Sequence, residues 1–243
     1  MDNKIKNDLA DLVDSTIDYL KEKKKKGINF VASSAPAVQK GISRKPDLFE
    51  SGISDTEISA AGSLETLKAM VSKCRKCPLG NLRKNAVFGE GNPAADLMFI
   101  GEAPGSEEDL QGKPFVGRAG QLLTDIVTKG MKLRRDDVFI ANILKCRPPE
   151  NRNPLPEEIN CCEPYLLKQI EFIKPKVICT LGNFAAQTLL KTREGITKIR
   201  GRFFDYRGIK LMPTFHPAYL LRNYSRKNRE YVWEDIKKIL DEI

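Results

Sequence analysis

The sequence predicts an α/β fold: a three-layer αβα arrangement with a central, mainly parallel four-stranded sheet, joined to an N-terminal helical and linker extension. Two patterns carry that prediction. Apolar runs at 96–101, 137–143 and 176–181 have the length and composition of buried parallel strands. Helical patterns at 118–130 and about 156–174 separate them, and strands alternating with helices imply a parallel sheet covered on both faces. A hairpin read from 202–206 and 209–212, turning at Arg207-Gly208, supplies the last strand.

Taken in order, residues 4–20 place Ile5, Leu9, Leu12, Val13, Ile17 and Leu20 at the spacing of one amphipathic helix, which the lysine run 23–26 ends. Residues 27–62 are rich in Ser, Gly and Ala without a sustained period and read as a flexible linker. We therefore divide the chain into an appendage, 1–63, with a possible protein partner for residues 1–26, and a functional domain, 64–243. From Leu64 a helix leads into Cys74-Arg75-Lys76-Cys77-Pro78. Pro164 is expected to kink or restart the helix at 156–174. Further helices are expected at 183–191 and from about 226 to 243, the last with Tyr231, Trp233, Ile236, Ile239 and Leu240 available to the core.

The net charge of +9 is unevenly placed. Residues 1–63 hold 10 basic and 10 acidic side chains, so the whole excess lies in the remainder, and the last 53 residues alone carry 13 basic against 7 acidic. Such a surplus suits a polyanion, although a solvated basic face would look the same. No stretch approaches the roughly 18 apolar residues of a membrane span, and the N-terminus lacks the apolar core of a secretory signal. A cytoplasmic protein is expected, so six cysteines suggest metal binding or buried thiols before disulfides. A single histidine, His216, excludes two-histidine zinc fingers, HExxH metalloproteases and H-x-E zinc deaminases.

The densest candidate for a site is 95–123. Its strand stops at Gly101-Glu102-Ala103-Pro104-Gly105, which places Glu102 where strand becomes loop, the edge at which open α/β sheets bind ligands. The acids Glu107, Glu108 and Asp109 follow, then a glycine-bounded loop, Gly112 to Gly117, presenting the single ring of Phe115. Two residues separate Cys74 from Cys77, and fifteen separate Cys146 from Cys162. Four sulfurs without a spare histidine suit either a [4Fe–4S] cluster or a zinc site of four cysteines. Cys161, beside Cys162, leaves the fourth ligand ambiguous by one residue, and Cys179 reads as a buried, inert side chain.

Together GEAPG, EED, GKPFVGRAG, ANILKCRPP at 141–149 and PTFHPAYLLRN at 213–223 resemble the family 4 uracil-DNA glycosylases, which carry an iron–sulfur cluster. The resemblance runs from about Leu64 to the C-terminus. It implies a monofunctional enzyme that flips deoxyuridine out of DNA and hydrolyses its N-glycosidic bond, leaving an abasic site for base-excision repair. It implies a [4Fe–4S] cluster on Cys74, Cys77, Cys146 and Cys162. It further implies a uracil pocket of Gly101, Glu102, Ala103, Glu108, Phe115, Asn142 and His216, with Phe115 stacking on the base from an exposed loop position. Asn142 would read the uracil edge, His216 would donate to O2, and Glu102 would act through its carboxylate or only its backbone. Glu108 would lie near the ring and help exclude a thymine methyl, while Glu107 and Asp109 would be solvated. Leu220, Leu221 and Arg222 would wedge into and hold the DNA; an ordinary helix start with one leucine in the core is the other reading. The pocket motifs contain no lysine for a Schiff base. A monomer is expected, in the nucleoid if the source is prokaryotic. The rival readings are a non-catalytic iron–sulfur DNA-binding module and an X-type variant that bonds covalently to DNA, whose KRRIH segment this sequence lacks.

Overall fold

A computed structural model describes residues 53–243. The amphipathic helix, the lysine run, the partner segment and the linker up to residue 52 lie outside the described residues. The elements in order are α1 (Asp55–Ser59), α2 (Leu64–Lys73), α3 (Leu79–Leu82), β1 (Glu90–Gly91), β2 (Leu97–Gly101), α4 (Ser106–Gln111), α5 (Arg118–Asp125), β3 (Phe139–Asn142), α6 (Pro156–Ile173), β4 (Val177–Leu181), α7 (Asn183–Leu190), α8 (Ile196–Ile199), β5 (Phe204–Tyr206), β6 (Ile209–Thr214), α9 (Pro217–Arg222) and α10 (Arg226–Leu240). A π-type turn over Ile126–Gly130 extends α5. None of the described helices is long and apolar enough to cross a membrane.

The sheet has six strands in the order β1-β3-β2-β4-β6-β5. Its four inner strands pair in parallel, as expected from sequence, and the edges β1 and β5 pair antiparallel. The edge β1 is only two residues long and carries no alternation, so nothing in the sequence marks it. Alternate residues of one strand feed different cores. Met98, Ile100, Ala141 and Ile178 join the core that holds residues of α2, α6 and α7. Leu97, Phe99, Ile140, Val177 and Cys179 join the core that holds residues of α5 and α10. This division makes the three layers, because a period of two sends successive side chains to opposite faces.

Several expectations need correction. The helix α6 runs through Pro164 without a break; the carbonyl that Pro164 cannot bond belongs to Asn160, an exposed residue on the solvent side of the helix. Residues 53–62 are not all linker. Ser54 and Glu57 form a capping box that starts α1, and Ile58 is 1% exposed in the core it shares with α6. The acid run 107–109 is the first turn of α4, with Glu108 capping the helix. Of the last helix, Ile236 and Ile239 are buried, whereas Trp233 is 41% exposed.

Candidate active site and cysteine cavity

The parallel register places Gly101 opposite Asn142 and Leu181 opposite Thr214. The carboxyl ends of all four inner strands therefore open on one edge. There, β2 has β3 on one side and β4 on the other, the switch point at which such sheets bind ligands. A cavity of about 490 Å³ lies at that edge, lined by Glu102, Ala103, Glu108, Phe115, Asn142, His216 and Arg222 among others. Six of the seven residues expected at the pocket thus share one cavity. The seventh, Gly101, lies against two of them.

Gly101 explains how Asn142 and Phe115 meet. A Cβ at Gly101 would stand 2.4 Å from Asn142 Oδ1 and 2.5 Å from the Phe115 ring, so only glycine lets the end of β2 pass between them. Asn142 is 2% exposed, yet its Oδ1 has no hydrogen-bond partner. Buried amide oxygens are almost always bonded, so this one is free for a ligand.

Phe115 is 6% exposed, not the exposed loop residue expected from its flanking glycines. The loop turns inward because the carboxylate of Glu108 gathers it. One oxygen accepts the N–H groups of Val116 and Gly117, both at 2.9 Å, and the other accepts that of Gly105 at 3.0 Å. Glu108 lines the cavity but is committed to this brace. Phe115 itself takes a left-handed φ of 51°, strained for a side chain with a Cβ. Arg135, not singled out in the sequence, holds it from behind by donating to the carbonyls of Pro114 at 2.7 Å and Phe115 at 3.2 Å.

His216 faces the Phe115 ring with centroids 5.7 Å apart. Its Nδ1 accepts the Ala218 N–H at 3.0 Å, capping α9. That bond fixes the tautomer with the proton on Nε2. Burial, then the charge of Arg222, push the imidazole down to about 4, so it is neutral near pH 7. Gly182, at φ +89°, lets the turn after β4 come close: a Cβ there would meet that of His216 at 3.0 Å.

Glu102 sits at the mouth of β2. Its main-chain carbonyl is taken by Leu144 N–H at 3.0 Å. No described residue hydrogen-bonds its carboxylate, which burial raises above the usual range and Arg222 draws back down. Asp109, expected in solvent, is 4% exposed and accepts the Lys84 N–H at 2.9 Å. Leu220, expected at the DNA, is 3% exposed in the core with α5 and α10 because α9 turns it inward, whereas Leu221 and Arg222 remain exposed. Pro148, Asn151, Arg152 and Asn153 also line the cavity. Their proline-rich run after Cys146 was a visible signal that sequence reasoning passed over.

A second, smaller cavity is lined by Cys74, Cys77, Cys146, Cys161 and Cys162, with Val71, Arg83, Lys145 and Tyr165 beside them. Sulfur dominates, and among the described residues no carboxylate or imidazole lines it. Arg83 Nη1 donates to Cys146 Sγ at 2.9 Å and the Lys145 N–H to Cys162 Sγ at 3.2 Å. Burial pushes the thiol of Cys77 up to about 11 and that of Cys162 up to about 12, so thiolates here need positive charge beside them. Cys161 is less buried and turns its Sγ to the Lys76 carbonyl at 3.4 Å. Among the described residues no group of three or more His, Cys, Asp or Glu side chains is arranged to hold a single ion. Cys179 lies apart in the sheet, 0% exposed.

Comparison with known proteins adds to this geometry. The profile of the uracil DNA glycosylase superfamily matches residues 88–239. A type-4 uracil-DNA glycosylase of Thermotoga maritima is 50% identical over 177 residues, 72% of this chain and 92% of that protein. One from Saccharolobus solfataricus is 48% identical over 185 residues, covering 73% of this chain and 85% of that protein. One from Archaeoglobus fulgidus is 43% identical over 185 residues, covering 73% and 92%.

Proposed function

We propose residue roles on one premise: the chain belongs to the uracil DNA glycosylase superfamily. It is a uracil-DNA glycosylase, an N-glycosidic hydrolase that acts on uracil in DNA and leaves an abasic site. A stacked base is out of reach, so the deoxyuridine must be extruded into the cavity at the sheet edge. Phe115 stacks beneath the ring. The free Oδ1 of Asn142 accepts from uracil N3–H while its amide donates to O4. Cytosine presents a bare N3 and an amino group at those positions and leaves both amide groups mismatched.

As the bond between N1 and C1′ breaks, its electron pair leaves with uracil and charge gathers on O2. The Nε2–H of neutral His216 donates to that oxygen, strengthening as charge develops. The unpaired carboxylate of Glu102 orients the attacking water toward C1′ and offsets the positive charge on the sugar. Main-chain contact alone is the weaker reading for Glu102, since its carbonyl already accepts the Leu144 N–H. Leu221 and Arg222 meet the DNA at the rim. Among the described residues no lysine lines the cavity, which favours simple hydrolysis over a Schiff base and strand cleavage.

The sulfur cavity fits a [4Fe–4S] cluster on Cys74, Cys77, Cys146 and Cys162. Its donors are all thiols, and the Arg83 guanidinium and the Lys145 main-chain N–H donate to sulfur, as outer partners of a charged sulfur site would. Bound there, the cluster would serve as a cross-link between α2, the end of β3 and α6. Cys162 is preferred over Cys161 because it is the more buried and already accepts a main-chain N–H.

The observation that carries this reading is the orphaned Asn142 Oδ1 within one cavity with Phe115 and His216. Incubation with a single-uracil oligonucleotide and no added cofactor is expected to give alkali-labile sites without direct strand breaks. An intact oligonucleotide after alkali would overturn the assignment.

A further inference from the structure

We propose that Lys145 is a positioning residue for uracil recognition, its buried ammonium group fixing the end of β3 so that the Asn142 amide faces the base. The inference rests on the reading of Asn142 given above. The side chain of Asn142 makes no hydrogen bond to any described residue, and its Oδ1 is orphaned. Its direction therefore depends on its main chain and on packing against Gly101. That main chain is held by Lys145, whose Nζ donates to the Asn142 carbonyl at 2.8 Å.

Lys145 is 1% exposed, and its Nζ bonds two carbonyl oxygens and no described carboxylate. A buried ammonium without such a partner is costly, and a methionine would fill similar space without that penalty. What the ammonium provides is a three-way tie. Its second bond, at 2.6 Å, goes to Oε1 of Gln169 on α6, and Gln169 in turn donates through Nε2 to the Phe88 carbonyl at 2.8 Å. Gln169 is 0% exposed, so its amide is held on both sides. The main chain of Lys145 continues the tie, with its N–H on Cys162 Sγ at 3.2 Å and its carbonyl accepting from Val87 at 2.8 Å. One residue thus joins the sulfur cavity to the residue that reads the base.

The test uses the full chain with its metal centre. Lys145→Met is expected to lower kcat/KM on a uracil oligonucleotide by about tenfold or more, the scale of a lost charged hydrogen bond. Free uracil should inhibit it correspondingly less. The brown absorbance of the cluster should persist, because the main-chain bond to Cys162 is kept. The same substitution in an Asn142→Ala background should change kcat/KM by less than about twofold, since residues acting through one another are not additive. An equal factor in both backgrounds would show a merely structural role and overturn the proposal, as would a single variant with parental activity. If Lys145→Met does not fold, Gln169→Leu loosens the same ammonium from the other side and must show the same dependence on Asn142. Parental activity in Asn142→Ala alone would overturn the uracil-reading role itself, a failure separable from that of Lys145.

Discussion

The Ala218 N–H on Nδ1 of His216 and the burial of its ring make this histidine a neutral donor, and that choice has a signature in pH. With the imidazole titrating at about 4, uracil release is expected to show no inflection near the ordinary histidine value. On the role proposed for Glu102, whose carboxylate is raised by burial and would have to be ionised to orient water, the acid limb is expected to belong to that residue. Rates should fall as pH drops through that raised value, and Glu102→Gln should remove this limb. An inflection near about 6.5 that survives in Glu102→Gln and disappears in His216→Ala would mean an imidazolium is the working form. Stability carries the same sign. The unfolded chain takes up the His216 proton first, so this contribution is whole above about 6.5 and is lost as pH falls toward 4. Asn142→Asp keeps the shape but removes the donor to O4; a loss of about 5- to 150-fold in kcat/KM on uracil, with narrower discrimination against cytosine, is expected from about 1–3 kcal/mol. Unchanged discrimination would reassign the reading of the base edge.

Between residue and fold stands the segment from α4 to α5, which Glu108 pulls together by three main-chain bonds. Glu108→Ala leaves those N–H groups unpaired and releases the left-handed Phe115. We expect a higher KM, a weakened hold on free uracil and a lower Tm from one change; KM and Tm at parental values would show that the loop is held by Arg135 alone. This brace was hidden in the sequence, where Asp109 reads as solvated and Glu108 as a neighbour of the ring, and only the fold reveals that both are spent on main-chain donors. The inner strands were legible because their residues are apolar on both faces, as central parallel strands must be. The edge β1 was not, being too short for a period. Of the residues that share the cavity, Glu102 was legible from its place at a strand end, whereas Asn142 and His216 were marked by the resemblance of their motifs. Arg135 and Lys145 were not, since a cation looks the same in sequence whether it faces water or a buried carbonyl.

At the scale of the whole molecule, the question is where the folded enzyme begins. A start at 63 discards α1, whose Ile58 is 1% exposed in the core shared with α6. The sequence in fact spells the start of α1 in Ser54-Asp55-Thr56-Glu57, but a single buried residue after it gives no period to recognise. Asp55 also pairs with Lys76, which stands between Cys74 and Cys77, so α1 bears on the loop that presents two of the proposed cluster ligands. Exposing an isoleucine removes about 1.5–3 kcal/mol, and in a domain of this size each kcal/mol moves Tm by about 2–4 °C. A chain beginning at Asp47 is therefore expected to match the full-length protein. One beginning at Ser63 should melt several degrees lower and lose its brown absorbance faster under chelation, while still releasing uracil, because none of the residues lining the active-site cavity is missing. Equal Tm and equal cluster lifetime in the two shortened chains would show α1 to be dispensable and return the boundary to residue 63.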